Sequence, residues 1–285
     1  MLAFALVAEQ GTNFLMADPA YPCNRQFLRL VEAGAKLIAV DHRHNYQLTA
    51  EMVADNWDQK TSGVLIASPA NPTGAVLDAA ELERIAAVVK AKGGVLVVDE
   101  IYHGLTYGVE TPSAVQVDPD AIVINSFSKY FGMTGWRLGW LISSKEAIAE
   151  MEKMAQNLFI SPPTLSQYAA LAAFESDALA LFEERRLELQ ARRDLLLAGL
   201  LELGFKVPRE PEGAFYIYAD ASELTDDSFA WCWALLEQAK VVATPGADFG
   251  TNQAQRYVRF AYTTSQDRIR EALNRIGQFI EDQSE

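Results

Sequence analysis

The stretch Ser126-Phe127-Ser128-Lys129, continued by Met133-Thr134-Gly135-Trp136-Arg137-Leu138-Gly139-Trp140, follows directly on the apolar run at residues 121–125 (AIVIN). A short apolar run of this kind reads as a strand covered on both faces, as in parallel sheets. A polar, cation-bearing segment just past such a strand lies where open α/β sheets hold their ligands.

Similar runs recur at residues 13–17 (NFLMA), 36–40 (KLIAV), 63–67 (GVLIA), 95–98 (VLVV) and 138–142 (LGWLI). Between them, residues 24–33 and 49–58 read as helices. A third helix starts at the cap Asp78, with Glu81 completing a capping box and Leu82, Ile85 and Val89 forming one apolar stripe. The alternation predicts an α/β fold: a mostly parallel sheet with helices on both faces. The pattern changes after about residue 160. Residues 164–174, 181–203 and 229–239 read as helices, and 214–218 and 257–262 as strands. A last helix places Ile269, Leu273, Ile276 and Ile280 on one face. This predicts a large domain over residues 1–180 and a smaller C-terminal α+β domain over 181–285.

The 285 residues carry 24 basic and 38 acidic side chains, a net charge of -14, which argues against a nucleic-acid partner. Arg185, Arg186, Arg192 and Arg193 are interleaved with Glu183, Glu184 and Glu188 and read as a solvated helix face. Cys23 and Cys232 do not make a disulfide framework and point to a reducing compartment. His42, His44 and His103 are too scattered for a zinc site, so no metal is expected. Residues 1–8 are apolar but lack the basic start and cleavage pattern of a signal peptide, and are too short to span a membrane. They read as the second half of a helix.

Five segments carry chemistry. Lys129 is either an exposed loop lysine or a nucleophile toward carbonyls, activated by desolvation or by a second cation such as Arg137. Ser126 and Lys129 also match the Ser-x-x-Lys of penicillin-binding enzymes, but the Ser-Asp-Asn and Lys-Thr-Gly partners are missing. Asp99 ends an apolar run. It is either a helix N-cap or the partner of a buried cation such as a pyridinium nitrogen. Tyr102, three residues on, either packs in the core or reaches a phenolic oxygen on the same ring. Asn71 lies in Ser68-Pro69-Ala70-Asn71-Pro72-Thr73-Gly74, a rigid turn at a strand end. Tyr21, in Asp18-Pro19-Ala20-Tyr21-Pro22, stacks on a planar ring or packs in the core. Arg259 sits inside the apolar run Tyr257-Val258-Arg259-Phe260-Ala261 and calls for an anion, either a ligand carboxylate or a structural partner.

These segments, in this order and at these separations, resemble the class I/II aminotransferases, fold type I enzymes that use pyridoxal 5'-phosphate. The similarity runs along the whole chain, including Ser161-Pro162-Pro163-Thr164 and Gly213-Ala214-Phe215-Tyr216. The resemblance implies that Lys129 forms the internal aldimine and shuttles the proton between substrate and cofactor. It implies that Asp99 pairs with the pyridine nitrogen, Asn71 and Tyr102 hydrogen-bond the 3'-oxygen, and Tyr21 stacks on the ring. Ser126 and Arg137 would hold the phosphate, and Arg259 the substrate α-carboxylate. The implied reaction moves an amino group between an α-amino acid and a 2-oxo acid, in a cytoplasmic homodimer with no membrane partner.

A C–S β-lyase of the same fold would use Lys129, Asp99 and Arg259 alike. An aminotransferase-like effector domain of a transcription regulator would need an attached basic DNA-binding module, and nothing here resembles one. The family pattern also implies a preceding segment, roughly a quarter to a third of a usual chain. That segment would include the turn whose amides hold the phosphate at a helix N-terminus. On this reading residues 1–8 are the remainder of that helix and the chain as given binds cofactor poorly; a further alternative is a truncated, catalytically impaired aminotransferase fragment.

Overall fold

The computed structural model describes residues 1–284. Helix α1 (Leu2–Val7) is short, buries Ala3 and Phe4, and leads to strand β1 (Asn13–Asp18). Helix α2 (Pro22–Leu30) starts earlier than the apolar pattern predicts, because Pro22 sits in the first turn, where its missing N–H is no loss. Then come β2 (Gly34–Ala39), α3 (Ala50–Asn56), β3 (Thr61–Ala67), α4 (Ala79–Ala91), β4 (Val95–Asp99), β5 (Ile122–Ser126) and β6 (Gly139–Ile142). Asp78 caps α4 as expected, accepting from the Glu81 N–H at 2.8 Å. Glu81 does not close the box. Its carboxylate instead accepts from the Ala50 N–H at 2.6 Å and ties α4 to the start of α3.

The six strands form one sheet in the order β2-β1-β3-β4-β5-β6. All neighbours are parallel except β5 and β6. The two covered faces of the sheet alternate along the strands as β geometry requires. Leu15, Val64, Ile66, Leu96, Val98 and Val123 meet α3 and α4 on one side. Phe14, Met16, Leu65, Val97 and Ile122 meet α1 and α2 on the other. The run at 138–142 departs from the expected doubly covered strand: β6 is antiparallel and has exposed ends. The link from β5 holds only the 3-10 turn Thr134–Trp136 and no crossover helix of the kind a parallel partner usually has. Among the described residues, the outer edge of β6 has no partner strand.

Helix α5 (Lys145–Leu158) has no counterpart in the sequence reading, although Ile148, Met151, Ala155 and Leu158 fall at helical spacing and Ser144 caps its start; only Met151 is fully buried. It is followed by α6 (Thr164–Ala172) and α7 (Ser176–Glu202). Ile160, Leu165, Tyr168 and Leu171 are 65–81% exposed, so this flank is an open apolar surface. Among the described residues no helix is long and apolar enough to cross a membrane.

The second sheet is β7 (Tyr216–Asp220), β9 (Tyr257–Ala261) and the two-residue β8 (Thr244–Pro245), antiparallel in the order β7-β9-β8. Strand β7 starts later than predicted because Ala214 has a φ of +58° and its carbonyl accepts from the Tyr107 and Tyr262 hydroxyls. Helix α8 (Ser228–Ala239), helix α9 (Gln266–Ser284) and α7 cover the sheet. Ile269 and Ile276 are fully packed there and Leu273 and Ile280 partly so, matching the predicted stripe of the last helix. One expectation fails. Arg193 is not on a solvated face but is 6% exposed, bonded to the Pro211 carbonyl at 2.9 Å and paired with Glu210 and Asp194. Its guanidinium lies 5.0 Å from the Tyr107 ring, so what looks in sequence like one more basic residue in a charge run is a core anchor.

The two sheets are held together at the C-terminal edge of the larger one. The buried Asp18 carboxylate, at the end of β1, accepts from the Thr251 N–H and hydroxyl and from the Asn252 N–H, at 3.0–3.2 Å. Arg25 adds contacts to the Asp248 and Phe249 carbonyls. Gly250 makes this approach possible, since a Cβ there would sit 1.6 Å from Asp18 Oδ1. Gly74, with a φ of +68°, lets the turn after β3 touch Pro211 and Gly213 in the same way. Gly250→Ala should therefore break the carboxylate cluster and lower stability by about 1–3 kcal/mol. A melting curve matching the parent protein would show that the clamp is dispensable.

Candidate active site

Four strand ends define the site. Asp18, Ser68 just after β3, Asp99 and Ser126 all fall at the C-terminal edge of the parallel strands, where loops leave room for a ligand. Asp99 ends β4 but caps no helix. Its carboxylate accepts from the Ile101 N–H at 3.1 Å in a tight turn. Loss of solvent pushes this carboxyl up to about 6, against the pull of that hydrogen bond and of Lys129.

Lys129 is partly buried in the segment after β5, 5.4 Å from the centres of both the Tyr102 and Phe215 rings. Desolvation lowers its ammonium below the usual lysine range. Asp99 opposes the shift, and Arg259 and Arg137 reinforce it. The arrangement is the one that makes a lysine nucleophilic: loss of solvent plus nearby cations.

Arg259, in β9 of the small sheet, reaches across to the large one. Its Nη1 donates to Asn71 Oδ1 at 2.8 Å, and Nη2 to the Thr244 hydroxyl at 3.4 Å. Both partners are neutral, and Nε is buried with no hydrogen-bond partner among the described residues. No carboxylate of the described residues forms a salt bridge with it. The structural ion pair weighed from sequence is therefore not what β9 provides. The guanidinium is sandwiched instead by aromatic faces, 4.1 Å from Tyr216 and 4.6 Å from Phe249. Tyr102 is buried, and its hydroxyl meets that of Tyr216 at 3.0 Å. Burial raises the Tyr102 phenol, so it keeps its proton.

Tyr21 caps α2 and is 41% exposed. Its phenol is pushed up to about 12, first by a hydrogen bond with Cys23 and then by desolvation, with Tyr216 and Asp99 close enough to contribute. Ser126 and Arg137 are less converged. The Ser126 hydroxyl donates to the Leu138 carbonyl at 3.3 Å and accepts from the Ser128 N–H. Arg137 is exposed, in the left-handed region at φ +52°, with Nη1 on the Thr134 carbonyl. Gly139 pairs with Ser126 in the ladder, which brings the two segments side by side.

The structure thus gathers Tyr21, Asn71, Asp99, Tyr102, Lys129 and Arg259 around one cleft, with Ser126 and Arg137 at its rim. Sequence reasoning gave no role to Tyr216, Phe215 or Thr244. The alternation Tyr216-Ile217-Tyr218 is a local signal for the first, but nothing local marks Thr244, whose neighbour Arg259 is distant in the chain.

The match to known proteins agrees with this geometry. The chain fits the model of aminotransferase class I and II over residues 1–276. It is 40% identical to the valine–pyruvate aminotransferase of Mycobacterium tuberculosis, over 99% of this chain and 73% of that protein. It is 34% identical to an aspartate aminotransferase of Bacillus sp., over 97% of this chain and 72% of that protein. Among solved structures, an aminotransferase from Mycobacterium tuberculosis superposes with a TM-score of 0.95 at 40% identity, covering 99% of this chain and 73% of that one. Aspartate aminotransferase from Thermus thermophilus with maleate gives 0.92 at 32% identity, covering 97% and 72%. The chain belongs to the class I and II aminotransferases. It is a transaminase of fold type I, and the cofactor of that family is pyridoxal 5'-phosphate.

The residues present fit that group: an anion for a ring cation, a desolvated amine for an aldehyde, and an arginine edge free of any protein anion. The raised Asp99 carboxyl has a consequence for the cofactor-free protein. A carboxyl whose folded value, about 6, lies above its ordinary 3.8 destabilises the fold once it ionises. Asp99→Asn should therefore melt higher than the parent. The gap should open as pH rises from about 4 through 6 and stay level above. A gap that shrinks over that range would refute the burial of charge at Asp99.

Proposed function

We propose that Lys129 is the amine that holds the cofactor and then carries the proton at the substrate Cα. The observation that carries this reading is the placing of a desolvated Lys129 between one acid, Asp99, and one arginine without an anion, Arg259. Pyridoxal phosphate, when bound, supplies an aldehyde that takes up the amino group and a ring that withdraws electrons. Asp99 keeps the ring nitrogen protonated. Its own affinity for a proton is raised by burial, so a cation beside it replaces the missing solvent. Asn71 and Tyr102 hydrogen-bond the ring oxygen, Tyr21 covers the ring, and Ser126 and Arg137 hold the phosphate. Arg259 takes the α-carboxylate through its open Nε edge, in a site built by aromatic faces rather than by counter-charges. An α-amino acid and a 2-oxo acid share that carboxylate, so one arginine serves both halves of the exchange.

Two separate sheets with separate cores support a division into a large cofactor-binding domain, residues 1–180, and a small C-terminal one, 181–285. Helix α7 starts at Ser176 and straddles that boundary. Two free cysteines favour a reducing, cytoplasmic setting. The open apolar flank around α6 favours a homodimer.

Two measurements test these readings. Borohydride treatment of the protein mixed with pyridoxal phosphate, followed by peptide mapping, should tag Lys129; a tag confined to another lysine overturns its role. Light scattering on the eluting protein should give about twice the 31.5 kDa chain mass, and a monomer at all concentrations refutes the dimer.

A further inference from the structure

We propose that the cavity between the two sheets, behind Tyr46, is a second binding site, for a small carboxylate. It encloses about 490 Å³, far more than a water needs and within the range of small-molecule sites. Asp41, Arg43 and Tyr46 line it from the large sheet's side, and Asp220, Arg256 and Tyr257 from the small sheet's. Tyr46 also lines the cleft that holds Tyr21 and Asn71, so the two spaces share a wall.

Most of the cavity's hydrogen-bonding groups are already engaged. Arg43 grips Asp41. Arg256 gives Nη1 to Gln253 Oε1 at 2.7 Å and pairs Nη2 with Asp220. Three groups are left over. The Arg256 Nε, the Tyr46 hydroxyl and the His44 Nδ1 are buried and have no hydrogen-bond partner among the described residues; His44 Nδ1 faces Asp41 at 3.4 Å, and the Tyr46 hydroxyl lies near that of Tyr257. Tyr46 as a whole is 5% exposed. Buried polar groups without partners are rare because each carries an unrecovered desolvation cost. An arginine Nε can only donate, and a phenol donates to the stronger acceptor, so the occupant must offer oxygen acceptors. A carboxylate offers two on one rigid plane, and Arg matches it best. The Asp and Arg residues of the wall balance in charge, so a small acid suffices and a polyanion is not called for.

The position of the cavity links it to the substrate side. Tyr257 stacks on Tyr218 at 4.6 Å, Tyr218 meets Phe249 edge-on at 6.2 Å, and the Arg259 guanidinium lies 4.6 Å from Phe249. A molecule that bridges the sheets at Tyr46 and Arg256 therefore presses on the same aromatic stack that positions Arg259. Any effect of binding at one site on affinity at the other is matched by an equal reciprocal effect.

Succinate is a suitable probe, and calorimetry on cofactor-free Arg259→Ala protein separates this site from the substrate arginine. One succinate should bind per chain, and succinamide, which lacks the carboxylates, should not bind. Adding Tyr46→Phe or Arg256→Lys should each weaken binding about fivefold, the loss of one hydrogen bond. Tyr46→Phe removes a buried hydroxyl that makes no well-formed hydrogen bond and only approaches that of Tyr257, so it should melt close to its parent; Arg256→Lys keeps a cation for Asp220. Absence of succinate binding, affinity unchanged from the parent in both variants, or equal binding of succinamide would each overturn the proposal. None of these outcomes bears on Lys129, since no cofactor or turnover is involved.

Discussion

The carboxylate of Asp18 is the contact on which the site depends. Asp99 and Lys129 lie on the larger sheet's side and Arg259 on the smaller, so the candidate site spans both. Asp18 ends the first parallel strand, and the loop before β9 folds its N–H groups onto it. Together with the turn at Gly74 on Gly213, that convergence fixes the distance between Arg259 and the larger sheet, on which Asn71 meets its guanidinium. A buried carboxylate with three donor groups is stable only while all of them are present. The clamp therefore sets geometry more sharply than an apolar contact of equal area could.

Within the cleft, charge is distributed by withholding partners. Asp99 has one backbone hydrogen bond and a cation at longer range, Lys129 has aromatic neighbours, and Arg259 is held by neutral oxygens and rings. Each group is desolvated more than it is neutralised. A ligand that completes these sets gains what water and protein do not supply. The same withholding has a cost in the empty protein, where the ionised Asp99 lacks solvent.

Much of this was legible in the sequence because the informative residues announce themselves locally. Asp99 and Ser126 close apolar runs, Lys129 follows such a run, and Arg259 interrupts another. Periodicity located the strands of the large sheet to within a few residues. Three features were not legible, for physical reasons. Helix α5 has its apolar positions Ile148, Met151 and Ala155 interleaved with Lys145, Glu146, Glu150, Glu152 and Lys153, and only Met151 is fully buried. Arg193 resembles its charged neighbours in sequence, and only the fold brings Pro211 and Glu210 to it. Asp18 and Thr251 are 233 residues apart, a separation at which single-sequence patterns carry no information. The antiparallel turn of β6 lies between these cases: its composition suits a buried strand, and only the lack of a helix in the link from β5 accompanies its direction.

That last strand bears on how the protein behaves in solution. Its outer edge offers a short row of unpaired backbone donors and acceptors, and the α5–α6 region leaves Ile160 and Leu165 bare. A net charge of -14 keeps molecules apart at low ionic strength, but salt screens that repulsion and leaves edge and apolar contacts intact. Salt therefore works in opposite senses on the two kinds of surface. Raising it weakens the long-range barrier while strengthening burial at the flank. The colloidal stability of this acidic chain is governed less by its isoelectric point than by whether Gly139–Ile142 lies open or covered.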